Sequence, residues 1–431
     1  MLSMRTKTFY GWWVTVAAIC TFGISVGIPY YNMPFFYDYY EKTAAQGGFG
    51  WSRDQITLGF PLAALFTLWV GPTLVHRFSP RRLLLIGTGL TAIAFFGFSR
   101  MGGDLNIYYL FWFIYTVGYI FSGPIPHQVI ISQWFRKKRG RAMGITYVGV
   151  AIFGSVGSYI VKPLTESLGF RGALAVMGGL MFLAWPLALL IIRDRPAEMG
   201  LHPDNDPEPL ATPVAASQSM GSMLGKSAFW LLMIGSFCSI GSIGAINQHM
   251  KLVFKDHGFV DQAVLNSTWR TASILILWSS IAGRLLVGWA ADRFPKKYVM
   301  TGTYALVAAT IPLLLLVTPQ QTEYLYVFAI LFGFGMGADY MLIPLMAAEQ
   351  FGVNTLARAM AILLPADTIG QTWFPYFVSL LRQSFGDYEH ALLSVFALAA
   401  LGAGAIALLP KHGRQDEALH LQEPGRVAAR R

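Results

Sequence analysis

An all-α membrane protein, with twelve transmembrane helices in two pseudo-symmetric six-helix halves, is the fold class that this sequence predicts. Three observations carry it. Apolar runs of about twenty residues, the length that crosses a bilayer core as a helix, recur from end to end of a 431-residue chain that is 55% hydrophobic and 13% charged. Basic residues divide unequally between the segments that join those runs. Loop sequences of the first half return in the second at a nearly fixed offset.

The runs are centred near Thr21, Leu65, Thr91, Val117, Phe153, Phe182, Ser239, Ile276, Val307, Gly335, Ile369 and Ala400. Arg5 and Lys7 precede the first, as in a signal peptide. That run continues from Tyr10 to about Tyr37 without a small-residue cleavage site, so it reads as a retained span. Pro196 is expected to stop the sixth helix, and Lys226 and Ser227 to open the seventh. Residues 1–192 and 227–410 therefore read as the two halves and 193–226 as a cytoplasmic linker, while 411–431 read as a poorly ordered cytoplasmic tail. Cys20 and Cys238 fall in different spans, with no disulfide or metal spacing.

A net charge of +10 raises the question of nucleic acid, and placement answers it. With a cytoplasmic N-terminus, 22 of the 32 Lys and Arg fall on the cytoplasmic side, nine on the other, and one, Arg284, inside a span. This is the positive-inside bias of a multi-pass protein of a cell (inner or plasma) membrane with both termini cytoplasmic, and no nucleic-acid partner is expected. The densest run, Arg136 to Arg141, sits in a short loop where it meets lipid headgroups. No G-x-x-x-x-G-K-[ST] phosphate loop occurs, so ATP is not expected to drive the protein directly. Neither a cofactor nor a metal nor enzymatic chemistry is indicated.

The repeat sets the architecture. H-R-F-S-P-R-R (His76 to Arg82) returns as D-R-F-P-K-K (Asp292 to Lys297) after 216 residues. R-A-M-G-I (Arg141 to Ile145) returns as R-A-M-A-I (Arg358 to Ile362) after 217, and Gly169 is answered by Gly386 after 217. Matches at equivalent loops describe a parallel repeat about an axis along the membrane normal.

Arg284 stands eight residues before Asp292, which at the helical rise places it about 12 Å inside the membrane surface. Insertion scales put an arginine there at roughly +2.5 to +3.5 kcal/mol, so it is expected to face a protein cavity and mark a ligand path. A structural ion pair is the alternative. Asp339 and Asp367 lie at about the same depth, about 13 Å from the ends of their helices. At the repeat offset these three positions correspond to Leu68, to Ser122 or Gly123, and to Val150 or Ala151, so the fold is built without the charges in its first half. Asp367 or Asp339 is expected to carry a proton, or to be the counter-ion that substrate displaces from Arg284; plain structural pairing stays open.

These loop segments resemble the major facilitator superfamily. Its G-x-x-x-D-R-x-G-R-R element is matched by Gly288, Asp292, Arg293, Lys296 and Lys297, and in altered form by Gly71, Arg77, Arg81 and Arg82, with His76 where aspartate is usual. The resemblance implies gate residues at Arg77, Arg81, Asp292 and Arg293, to which the repeated Arg141 and Arg358 are added. W-F-R-K-K-R-G-R-A-M-G-I (Trp134 to Ile145), G-F-R-G-A-L (Gly169 to Leu174) and R-D-R-P-A-E-M-G-L-H-P-D resemble the monocarboxylate and oxalate:formate branch. That branch implies a carboxylate-binding arginine at Arg284. Its animal members also carry a lysine and an aspartate where this chain has Tyr30 and Ser280, so proton coupling is not inherited with the fold.

The other residues expected to line the cavity are Tyr30, Asn32, Tyr119, Asn247, Trp278, Tyr340 and Gln371, with Tyr31, His127, Gln248, His249 and Trp373 near them. The sequence thus predicts a monomeric secondary transporter of a small organic anion, a monocarboxylate moved with a proton by alternating access. Carboxylate exchange, proton-driven efflux of amphipathic compounds, and a non-transporting membrane sensor are the alternatives.

Overall fold

Backbone N–H and C=O groups in a bilayer core find no water, so apolar runs must close their hydrogen bonds within themselves, and helices do so. The computed structural model describes residues 9–52, 55–56, 58–67, 74, 77–206 and 218–410. The first half comprises α1 (Tyr10–Asn32), α2 (Gly59–Thr67), α3 (Pro80–Arg100) and α4 (Leu105–Trp134), followed by the helical run Arg139–Leu180. Gly169 turns that run sharply with φ 69° and ψ 168°, dividing it into α5 (139–168) and α6 (170–190). The second half comprises α7 (Ser227–Asp256), α8 (Gln262–Arg293), α9 (Lys296–Leu316), α10 (Glu323–Phe351), α11 (Val353–Phe385) and α12 (Glu389–Ala407).

Nine helices among the described residues are long and apolar enough to cross a membrane, one of them running through the Gly169 turn. α11 has the length, at 33 residues, but Asp367, Thr368, Gln371 and Thr372 dilute its apolar character. Local signals set the helix ends. Asp104 caps α4 by accepting from the Asn106 N–H, and Asp261 caps α8 by accepting from Ala263 and Val264. Residues 68–73, 76 and 411–431, which include Leu68, Gly71, His76 and the expected tail, lie outside the described residues.

Small residues bring the helices together. A Cβ on Gly283 would stand 2.0 Å from the Phe334 carbonyl oxygen, and one on Gly337 2.1 Å from that of Ser280, so α8 and α10 touch backbone to backbone. Three buried apolar clusters result. One crosses both halves, joining Val14, Met143 and Tyr147 to Val287, Met341 and Leu363. The others are each confined to one half, Ile28 to Met177 in the first and Ile243 to Ala399 in the second. The halves are thus fused at the end that carries the linker, and their cores part at the opposite end.

The described part of the linker docks on the basic loop between α4 and α5. Asp204 accepts from the backbone N–H groups of Arg136 (2.8 Å) and Lys137 (2.5 Å), and Asp206 pairs with the Lys137 ammonium at 2.5 Å. These bonds hold Asp204 and Asn205 at φ 58° and 60°, a region that non-glycine residues rarely adopt. The hydrogen bond from Lys137 holds the Asp206 carboxyl below its ordinary value, and Asp206 in turn raises Lys137. The Asp206 contribution is therefore full above the ordinary carboxylate value and lost as pH falls through the lowered one. The Lys137 contribution is full below the ordinary lysine value and lost as pH rises through the raised one. Protection of the Arg136 and Lys137 amides, taken relative to their intrinsic exchange rates, is expected to be highest between those limits and to fall beyond either, or in high salt.

Candidate functional site

Arg284 projects from the middle of α8, where Gly283 seats the backbone against α10 and where Gly144 of α5 packs on the Arg284 carbonyl. The side chain is half-buried. One Nη donates to the Ser280 hydroxyl one turn earlier, at 2.8 Å, while Nε is buried and has no partner. The phenols within electrostatic reach are Tyr31 of α1 and Tyr147 of α5, both from the other half. Tyr31 lies over Gly154 and is 52% exposed. Gln128 of α4 donates to the Tyr147 hydroxyl at 2.5 Å. Among the described residues no carboxylate forms an ion pair with Arg284. A planar cationic fork with an unpartnered N–H is chemically able to take a carboxylate's oxygens.

Four of the other expected residues meet in a cluster of their own. Gln371 Oε1 accepts from Tyr340 at 2.9 Å and from Tyr30 at 3.5 Å, the latter bond joining the halves. Tyr119 faces Tyr30 with ring centroids 6.3 Å apart. The rest lie elsewhere. The Asn32 amide is buried and spends its N–H groups on the Ile28 and Gly154 carbonyls, fastening α1 to α5. Asn247 is exposed on α7 and donates to the Met336 sulfur. Trp278 is 68% exposed on α8, away from this cluster.

Asp339 and Asp367 are not counter-ions of Arg284 in this conformation. Each is fully buried within the second half and accepts from a serine of α7, Asp339 from Ser239 and Asp367 from Ser236. His127 and His249 are engaged at both ring nitrogens, by Thr21 and the Gly123 carbonyl and by Tyr388 and the Pro375 carbonyl.

The residues expected to gate divide by what they join. Asp292 crosses between halves: its carboxylate accepts from the backbone N–H of Gly140 at 2.5 Å and of Arg141 at 3.0 Å, where the first turn of α5 presents unpaired donors. The Arg141 guanidinium stands 3.9 Å from the same carboxylate. Arg81 instead works within the first half, donating to the Ala188 and Leu189 carbonyls that end α6. Arg358 binds the Gln218 carbonyl of the linker, Arg293 lies over Trp289, and Arg77 is exposed. Asp292→Asn leaves an α5 N–H facing an NH₂ group and is expected to cost about 1–3 kcal/mol of linker-end closure. Spin labels at Lys138 and Phe294 should then report a longer separation across that end.

Tyr147 of α5 and Gln128 of α4 are not among the residues that the sequence singles out, because a tyrosine or an amide within a span does not by itself disclose a partner on another helix. The polar side chain amid the small and apolar residues of G-I-T-Y-V-G-V was the available signal.

The family model described as Major Facilitator Superfamily matches residues 17–276 and 268–429. The agnestins efflux protein of Paecilomyces divaricatus is 27% identical over 345 residues, covering 78% of this chain and 72% of that one. Monocarboxylate transporter 11 of Homo sapiens is 22% identical over 417 residues, covering 93% and 83%. The human organic anion transporter MFSD10 superposes with a TM-score of 0.69 at 10% identity, over 92% of this chain and 99% of that one, a likeness of fold.

Proposed function

Because the chain belongs to the Major Facilitator Superfamily of membrane transporters, we propose that it is a secondary active carrier of a small organic anion, moving a monocarboxylate together with a proton. The observation that carries this reading is the state of Arg284. A half-buried guanidinium with one hydroxyl partner and a buried, unpartnered Nε is a costly group for a helix to keep, and a carboxylate supplies both the missing charge and the missing acceptors. Its position on α8, facing phenols of α1 and α5, puts it where relative motion of the halves changes its surroundings.

The multi-pass chain is read as twelve spans, counting α5 and α6 separately and adding α2 and α11 to the other helices. The bias of Lys and Arg supports a cytoplasmic linker end and cytoplasmic termini in a cell membrane. Residues 1–192 and 227–410 are the two rocking halves, the linker and tail joining and following them in a monomer. Protons, the carboxylate and the bilayer are the partners, and nucleic acid is not one.

Efflux of a larger amphipathic compound is the second reading, favoured by the name of the agnestins efflux relative and by the aromatic cluster of Tyr30, Tyr31 and Tyr119, of which Tyr31 is within electrostatic reach of the cation. Uptake of labelled L-lactate, pyruvate and benzoate into proteoliposomes, with and without an inward proton gradient, separates the two. Gradient-driven accumulation of any of these supports the carboxylate reading. Movement of a hydrophobic dye with none of the carboxylates replaces it by efflux.

A further inference from the structure

Apart from Arg284, the second half seals a polar group that packing does not require. Asp339 of α10 and Asp367 of α11 are both 0% exposed, and each uses only one carboxyl oxygen, accepting from Ser239 at 2.5 Å and from Ser236 at 2.6 Å. The other two oxygens, Asp339 Oδ1 and Asp367 Oδ2, are buried without a partner. So is the hydroxyl of Tyr304, fully buried on α9 and directed at Asp339. The two carboxyls lie within electrostatic reach of each other, and neither forms an ion pair among the described residues.

Two neighbouring carboxylates without a cation cannot both remain charged in such surroundings. Ser236 and Ser239 already donate to one oxygen of each acid, so each orphaned oxygen is a place for a proton. We propose that Asp339 and Asp367 form one proton-loading pair, separate from the Arg284 anion site and linked to it through α10 and α11. This inference rests on the reading of the protein as a gradient-driven carrier and names the groups that hold the proton.

The linkage follows the chain. Tyr340 adjoins Asp339, and Gln371 lies one helical turn beyond Asp367. Gln371 is also the residue that receives Tyr340 and, across the halves, Tyr30. A charge change at the pair therefore acts on the two helices that hold the bridge. The titratable groups facing the pair are Tyr304 from α9 and Tyr340 from α10. α7 offers the two serines, while its Cys238 is turned to Gly402 of α12. In this conformation the pair is sealed, so a proton exchanges with water only when the halves rearrange. It enters from one side as an O–H bond forms on a carboxylate oxygen and leaves to the other as that bond breaks, restoring the carboxylate.

Infrared difference spectroscopy of the full-length protein in detergent, across a pH jump kept above about 6 where ordinary carboxyls stay ionised, tests this without any substrate. A protonated-carboxyl C=O band is expected in the parent, weakened in Asp339→Asn and in Asp367→Asn, absent in the double variant and retained in Arg284→Met. A band that survives the double variant, or no band in the parent, overturns the pair. In proteoliposomes, Asp367→Asn should keep counterflow of labelled L-lactate and lose proton-driven accumulation, whereas Arg284→Met loses both. Accumulation driven by a sodium gradient and not by protons also overturns the proposal. Should the infrared result hold while no carboxylate moves, the anion reading of Arg284 fails and the proton pair stands.

Discussion

Arg284→Lys is expected to lower carboxylate uptake roughly 10- to 100-fold, the worth of a charge-assisted bond made by a planar fork rather than by a point charge. Lysine keeps the positive charge, so a site that needed charge alone would survive. Its shorter reach also gives up the geometry in which one Nη is held by Ser280 while Nε is left open. Arg284→Met separates substrate site from structural pair more sharply. Removing one partner of a buried ion pair destabilises, typically by 3–5 kcal/mol, because the other charge is stranded. No such partner exists here among the described residues, so removing the cation is expected to raise the melting temperature of the ligand-free protein while abolishing uptake. Saturating L-lactate should raise the melting temperature of the parent and leave that of Arg284→Met unchanged. A melting temperature that falls in Arg284→Met would mark the arginine as structural.

The depth of Arg284 could be read from the chain because helical rise converts a residue count into a distance, and the cost of a charge at that depth does the rest. What surrounds it could not. Ser280, four residues earlier, shares its face of α8, whereas Trp278, six residues earlier, is turned about 120° away by the same helical geometry, as its exposure reflects. That distinction was available from periodicity. The separation of the two aspartates from the arginine was not, since all three lie at one depth and only the packing of α7 decides that Ser236 and Ser239 take the carboxyls. Asn32 shows the same limit: an amide between two prolines reads as a cavity donor until Gly154 and Gly157 bring α5 against it and its N–H groups are consumed. Loop motifs disclosed Asp292, but not that its acceptor oxygens meet the first turn of α5, because helix ends from different halves come together only in the folded protein.

Gly144→Ala and Gly140→Ala are expected to hold the linker end open and to stop transport, although alanine favours a helix more than glycine does. The reason is local to the seam between α5 and α8. A Cβ at Gly144 would stand 2.3 Å from the Arg284 carbonyl oxygen, and one at Gly140 2.2 Å from that of Gly288. Both obstacles are backbone, so no rotamer change relieves them and the helices must separate. Overpacking of this kind costs about 1–3 kcal/mol or more, enough to shift a two-state equilibrium roughly 5- to 150-fold. The strain is released by parting the halves rather than by unfolding, because two of the three apolar clusters are confined to single halves and the seam between α8 and α10 at Gly283 and Gly337 is untouched. Melting should therefore change little, while spin labels at Lys138 and Phe294 move apart and L-lactate uptake is lost. Gly179→Ala is the control: a Cβ there meets nothing within 4 Å, and both distance and uptake should match the parent. Normal uptake with unchanged label distances in Gly144→Ala would mean that the close approach of α5 to α8 is not part of the transport cycle, and that closure depends on Asp292 and the shared apolar cluster alone.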